Sequence, residues 1–242
     1  VLGPLLVLLV LSGCASEDLP TFGMPARGVT DAAPRILSLW QGSWIAALAT
    51  GALVWGLILW SVAFHRKRRG DDSLPPQVRY NLPVEVLYTL IPFVMIAVFF
   101  FFTARDESAV RALSPDSEVD HTIEVVGVQW SWQFNYLDEG VSTIGTPANP
   151  PTLYLPQGER VRFELNSNDV IHSFWVPAFL YKMDVLPGRT NMFEVTPEKL
   201  GTYVGKCAEL CGEDHSRMLF NVEIVEPEVY AQRLAEMEVT DQ

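Results

Sequence analysis

Two thiols, an imidazole and a thioether fall within one short stretch near the end of the sequence, Cys207-Ala208-Glu209-Leu210-Cys211-Gly212-Glu213-Asp214-His215-Ser216-Arg217-Met218. Sulfur and imidazole nitrogen are soft to borderline ligands, a set that suits copper better than magnesium or calcium. The plain alternative is a structural disulfide between Cys207 and Cys211, which an exported domain permits, with His215 and Met218 as ordinary surface and core residues. Zinc fits less well: Cys-x3-Cys-x3-His lacks the paired short knuckles of structural zinc sites, and a thioether is a poor zinc ligand. Copper uses all four side chains.

A second stretch, Asp169-Val170-Ile171-His172-Ser173-Phe174-Trp175-Val176-Pro177, bears on the choice. A histidine beside apolar residues is commonly a core residue. A copper site on a β-sandwich, however, takes one histidine from an early strand and its remaining ligands from a single late loop. His172 is placed to be that histidine.

Cys-x-Glu-x-Cys-x3-His-x2-Met, preceded by Val-Ile-His-Ser-Phe-Trp-Val-Pro, resembles subunit II of haem-copper cytochrome c oxidases, the subunit that carries the dinuclear copper A centre. Lys182, Asp184, Pro187, Gly188 and Arg189 are similar to the family's Lys-x-Asp-x2-Pro-Gly-Arg run, and Gln129-Trp130-Ser131-Trp132 to its aromatic segment. The resemblance implies two copper ions bridged by the thiolates of Cys207 and Cys211, an imidazole on each from His172 and His215, a weak thioether from Met218 and the backbone carbonyl of Glu209. One electron is then shared between the metals, and little rearranges when it leaves. The resemblance further implies that the Glu209 carboxylate reaches a magnesium ion at the boundary with subunit I, where hard oxygen ligands are appropriate; an exposed acid in an acidic domain is the alternative. Trp130 would lie near the cytochrome c contact surface, as the point where electrons arrive, although both Trp130 and Trp132 also read as ordinary strand core. Val128 stands where many relatives carry a polar or histidine residue. A mononuclear blue-copper site needs one Cys, two His and an axial Met, so the second cysteine favours the dinuclear centre.

The elements that must position these groups divide the chain sharply. Of 242 residues, 49% are apolar and the formal net charge is −12, but residues 105–242 hold 23 Asp and Glu against 10 Lys and Arg. Val1 to Leu11 is almost wholly apolar and runs into Leu11-Ser12-Gly13-Cys14. That run is too short to span a bilayer and reads as the h-region of an export signal, residues 1–13. Leu-Ser-Gly-Cys resembles a bacterial lipoprotein cleavage box, which would make Cys14 the lipidated first residue. With no initiator Met and no basic n-region, the sequence is expected to begin inside the signal. Residues 14–36, rich in Pro, Gly and small polar residues, are expected to form an irregular extracytoplasmic arm.

Residues 37–104 read as a transmembrane hairpin. Trp40 to Phe64 carries no charge, is about 37 Å long as a helix, and has tryptophans near both ends, where interfaces favour them. Val86 to Thr103 is a second apolar run, with Pro92 expected to kink it. Between them, in the loop 65–83, His65-Arg66-Lys67-Arg68-Arg69 marks the cytoplasmic side and is not a nucleic-acid patch. Both termini and the acidic part are therefore expected outside the cytoplasm. Glu85 sits at the inner edge of the second span. It is either a helix-start residue favoured by the macrodipole or, as the resemblance implies, the entrance of a proton path into subunit I.

From residue 105 onward the pattern changes to alternation. His121 to Tyr136, Thr152 to Leu155, Arg160 to Leu165, Ile171 to Val176, Thr190 to Val195, Thr202 to Gly205 and Leu219 to Val225 read as strands of a Greek-key sandwich or barrel, with a helix over Glu228 to Met237. The resemblance makes residues 105–242 a cupredoxin-like domain, and the whole an α+β membrane protein. The acid surplus serves solubility or steers a basic partner, with Asp138, Glu139, Asp169 and Asp184 as candidate docking acids.

The reading is thus a bacterial cell-membrane protein with two spans. It would be the electron-accepting subunit of a proton-pumping oxidase, partnered by subunits I and III, by a cytochrome c (soluble, membrane-anchored or fused to a bc complex) and by lipid. No Cys-x2-Cys-His haem attachment motif is present, so haem and oxygen chemistry are expected on another chain. The alternatives are a membrane-anchored copper carrier, which would not need two spans and Glu85, and a quinol-oxidase-type scaffold, typically without copper ligands.

Overall fold

The computed structural model describes residues 20–25, 28–67, 70, 73–74 and 76–240. The expected signal segment, Cys14, and Arg68 and Arg69 of the basic cluster lie outside the described residues. Among the described residues two long helices come first, α1 (Ala33–Phe64) and α2 (Leu82–Val110). Trp55, Leu57, Phe93 and Phe100 on these helices are exposed, a surface suited to hydrocarbon and not to water. Both helices run past the uncharged stretches that announce them. Hydropathy marks only the part suited to lipid, whereas backbone hydrogen bonding continues until something stops it. α2 contains Pro92 and opens on a reciprocal cap. The Asn81 side chain accepts from the Val84 N–H at 3.5 Å, and Glu85 Oε1 accepts from the Asn81 N–H at 2.9 Å. Glu85 thus has a capping role within this chain.

The described residues from Glu107 onward form a second unit built on a sandwich, to which the segment Gly23–Ser38 also belongs. Val29 N–H donates to Ala178 O at 3.0 Å, and Glu198 N–H donates to Val29 O at 2.7 Å, so this part of the expected arm is held against the domain. Ten strands follow: β1 (His121–Val128), β2 (Ser131–Tyr136), β3 (Val141–Ile144), β4 (Thr152–Pro156), β5 (Val161–Ser167), β6 (His172–Val176), β7 (Tyr181–Val185), β8 (Asn191–Val195), β9 (Gly201–Cys207) and β10 (Leu219–Val225). They form two five-stranded sheets, ordered β3-β2-β1-β5-β8 and β4-β10-β9-β6-β7. The β1–β5 and β4–β10 pairs are parallel and the others antiparallel.

Alternation drives this arrangement: β5 and β10 bury every second residue, giving each sheet one apolar face to press on the other. The shared core is aromatic, with Phe174 and Phe220 stacked at 4.9 Å and Phe163 and Phe193 at 4.9 Å. Gly205 makes room for it, since a Cβ there would meet the Phe220 ring at 2.0 Å. Two strands, β3 and β7, do not announce themselves in the sequence. Both are sheet edges, where polar side chains such as Ser142, Lys182 and Asp184 replace a buried face. The stretch 121–136, expected as strand throughout, is broken at Gln129 and Trp130 into β1 and β2. The final helix, α3 (Pro227–Thr240), starts on a proline suited to the first helical turn and packs on the sandwich through buried Tyr230 and Leu234.

Candidate metal centre

Strand pairing brings the separated sequence stretches together. In the second sheet β6 lies beside β9, with Phe174 opposite Cys207, so His172 and Cys207 share one end of the sandwich. The loop after β9 is closed by its own backbone: Cys207 N–H donates to Met218 O at 3.0 Å, and Ala208 N–H donates to Ser173 O at 3.0 Å. Within it, residues 215–217 form a 3₁₀ turn that presents His215, and Met218 points into the core with no exposure.

Five side chains converge. Cys207 Sγ lies 3.9 Å from Cys211 Sγ and 3.9 Å from His172 Nδ1. Cys211 Sγ lies 3.5 Å from His215 Nδ1 and 3.8 Å from Met218 Sδ. Both cysteines are free and buried, and their separation is far beyond the roughly 2.05 Å of a disulfide. The disulfide alternative is therefore not the state seen here. The Glu209 carbonyl is 3.2 Å from Cys207 Sγ. The Glu209 carboxylate is exposed, accepts from the Leu210 N–H at 3.2 Å, and joins no cluster of three or more metal-donor side chains among the described residues.

Burial works against charge on both sulfurs. At Cys207 it is outweighed by the His172 and His215 imidazoles and by the backbone at Glu209 and Ser173, which hold that thiol at about 7. Burial and the neighbouring Cys207 sulfur push Cys211 up to about 12. The pair releases one proton readily and the second only against the first thiolate, an opposition that a bound cation removes.

A surrounding shell orients the donors. His172 is fully buried, and its Nε2 is 2.8 Å from Asp169 Oδ1, which turns Nδ1 toward the sulfurs in the usual carboxylate–histidine–metal relation. Burial opposes the charge on His172, but Cys207 and Asp169 raise its pKa nonetheless. Gly127 packs on that imidazole, where a Cβ would meet it at 2.8 Å. Gln129 Nε2 and Trp130 Nε1 both donate to Cys211 O, at 2.7 and 3.2 Å, and Trp132 Nε1 donates to Met218 O at 3.4 Å. Trp132 is core, whereas Trp130 lies in the turn and remains partly exposed beside the loop. Sequence reasoning missed Gly127 and the Gln129 amide as supports. The four candidate docking acids do not share a role. Asp169 braces His172, whereas Asp138 and Glu139 sit by His121 at the opposite end of β1, Asp138 accepting from Thr122 N–H at 2.6 Å and Glu139 bonded to the His121 ring at 2.9 Å.

A two-sheet sandwich with one buried strand histidine and a late loop of two thiols, an imidazole and a thioether defines a domain of the cupredoxin-like class, and the donor set suits copper. A family profile for the periplasmic domain of cytochrome c oxidase subunit II matches residues 148–225. The chain is 54% identical to a probable cytochrome c oxidase subunit 2 of Streptomyces coelicolor, over 96% of this chain and 84% of that one. It is 36% identical to the cytochrome c oxidase subunit 2 of Mycobacterium tuberculosis, over 90% and 75% of the two chains. The crystal structure of the periplasmic domain of subunit II (CoxB) of Bradyrhizobium japonicum overlays 53% of this chain and 99% of its own with a TM-score of 0.48 at 30% identity. The chain belongs to the cytochrome c oxidase subunit II family. It is an oxidoreductase subunit that associates with other oxidase subunits, and a membrane protein with an extracytoplasmic domain.

Proposed function

We propose that this chain accepts single electrons from a cytochrome c at a pair of copper ions and delivers them to haem in subunit I, where oxygen is reduced to water. The observation that carries the reading is the convergence of two buried, unbonded sulfurs with His215 and Met218 of the same loop and with His172 of β6. Copper bound there supplies a one-electron couple. Cys207, Cys211, His172, His215, Met218 and the Glu209 carbonyl would hold it, the two sulfurs as thiolates and the two rings through imidazole nitrogen. Asp169 fixes the His172 tautomer, and the packed aromatic residues behind the loop exclude water. The Glu209 carboxylate, exposed beside the loop, is proposed to reach a magnesium ion shared with subunit I; subunit III completes the core.

Trp130, hydrogen-bonded to the Cys211 carbonyl and partly exposed, is proposed as the point where electrons arrive. Metal analysis and electron spin resonance of the purified oxidase test the whole reading. Two copper atoms per chain and a mixed-valence signal are expected, and one copper or none would overturn it. In the same preparation Trp130→Phe is expected to keep the copper signal and to slow reduction by low donor concentrations on the order of tenfold, about 1.4 kcal/mol of barrier. An unchanged rate would reject that role.

Residues 37–104 are proposed to cross the bilayer twice, with the loop 65–83 cytoplasmic and both termini outside. Glu85 then lies at the inner face, where a proton path would open. Gln retains the oxygen acceptor that caps α2 but cannot hold or release a proton at this pH, so Glu85→Gln separates the two roles. The expected result is normal folding with turnover and proton pumping reduced together. Undiminished pumping would leave Glu85 as a cap alone.

A further inference from the structure

A second cluster of metal donors lies at the other end of β1, roughly 23 Å from the copper loop at about 3.3 Å of rise per residue. One donor atom from each of His121, Asp138 and Glu139 falls within 4.8 Å of the others. We propose that this cluster is a binding site for a divalent transition-metal ion, with zinc as the fitting probe.

Three observations point there together. First, both nitrogens of the His121 ring face carboxylates: Nδ1 lies 2.9 Å from Glu139 Oε1, and Nε2 lies 2.7 Å from Glu159 Oε2. A neutral imidazole has a single N–H to donate, so one of these contacts lacks a proton unless the ring is charged or a cation sits between the partners. An ion on Nδ1, with Glu139 and Asp138 completing its ligands, leaves Nε2–H to donate to Glu159. That is the carboxylate support that metal-bound histidines usually have. Second, Glu139 Oε2 is buried and has no hydrogen-bond partner, an expensive position for a carboxylate oxygen with nothing to bind. Its other oxygen, Oε1, is held by the Tyr230 hydroxyl at 3.2 Å. Third, His121, Glu139, Glu159 and Tyr230 line a cavity of about 390 Å³, which provides both room and access.

The donor chemistry selects the ion. One imidazole with two carboxylates is a zinc-type set, whereas calcium takes six to eight oxygens and magnesium keeps most of its waters. The donors come from the start of β1 and from the turn between β2 and β3, and Tyr230 belongs to α3. Zinc would therefore brace the place where the final helix meets the sheet.

The test uses the untagged, copper-loaded oxidase dialysed against micromolar zinc, with zinc counted per complex. Wild type is expected to hold one more zinc than His121→Gln. Glu159→Gln, which removes only the supporting carboxylate, is expected to weaken binding about 10- to 100-fold. Zinc should also raise the melting temperature of wild type and not that of His121→Gln. The copper resonance signal, arising from the far end of the strand, reports that each variant has folded. Equal zinc in wild type and a folded His121→Gln overturns the proposal. So does wild type that takes up none, and if His121→Gln does not fold, unaltered zinc affinity in Glu159→Gln does the same.

Discussion

Cys211→Ser is expected to abolish cytochrome c-driven turnover, with a fall of at least about 100-fold, because even a supporting group around a metal costs 10- to 100-fold when removed and Cys211 is proposed as a direct donor. The reason lies in its neighbours. Cys211 Sγ is the group that faces Cys207, His215 and Met218 together, at 3.9, 3.5 and 3.8 Å. A hydroxyl at that position is a harder and far less acidic donor, unable to bridge soft ions. Copper content should fall and the shared-electron signal should vanish, while the sandwich remains folded. A Cys211→Ser oxidase that keeps two coppers and full turnover would show that the loop is not the electron acceptor.

Trp132→Ala is expected to cost about 3–5 kcal/mol of stability, a large share of the roughly 5–15 kcal/mol that holds a domain folded. Trp132 has no exposure. Its ring sits edge-on to His172 at 6.1 Å, Phe174 at 5.8 Å and Phe220 at 5.5 Å, and its N–H donates to the Met218 carbonyl. Truncation opens a cavity directly behind the ligand loop, so the copper signal should broaden or disappear well below the wild-type melting temperature. Trp132→Phe keeps most of the packing and loses one hydrogen bond, about 1 kcal/mol. Thermal melts of the three proteins check the order. A Trp132→Ala melt superimposable on wild type would mean that the core does not support the site.

The candidate donors were legible in the sequence because most of them are local. Cys207, Cys211, His215 and Met218 are fixed in relation to one another by a single loop, whatever the rest of the chain does. What holds them was not legible, since Gln129, Trp130 and Trp132 reach the loop from more than eighty residues away through sheet packing. Gly127 carries no chemistry of its own, and only its proximity to His172 gives it meaning. Edge strands β3 and β7 escaped for a related reason: they lack the buried alternating face that marks a strand. The acids were the least readable group. Charge counts alone put Asp169 and Glu139 in one class, while the fold gives the first to His172 beside the sulfurs and the second to His121 at the opposite end of β1.

The unjoined sulfurs carry a consequence for maturation. Outside the cytoplasm thiols tend to oxidise, and withdrawal of two electrons would weld Cys207 to Cys211 after about 1.9 Å of approach from their 3.9 Å spacing. That bond would remove both proposed thiolate donors at once. A newly exported chain that meets an oxidant before it meets copper must then be reopened by thiol exchange, so the timing of reduction, as much as metal supply, sets how many chains become competent. Free-thiol counts on the metal-free chain before and after export read that timing directly.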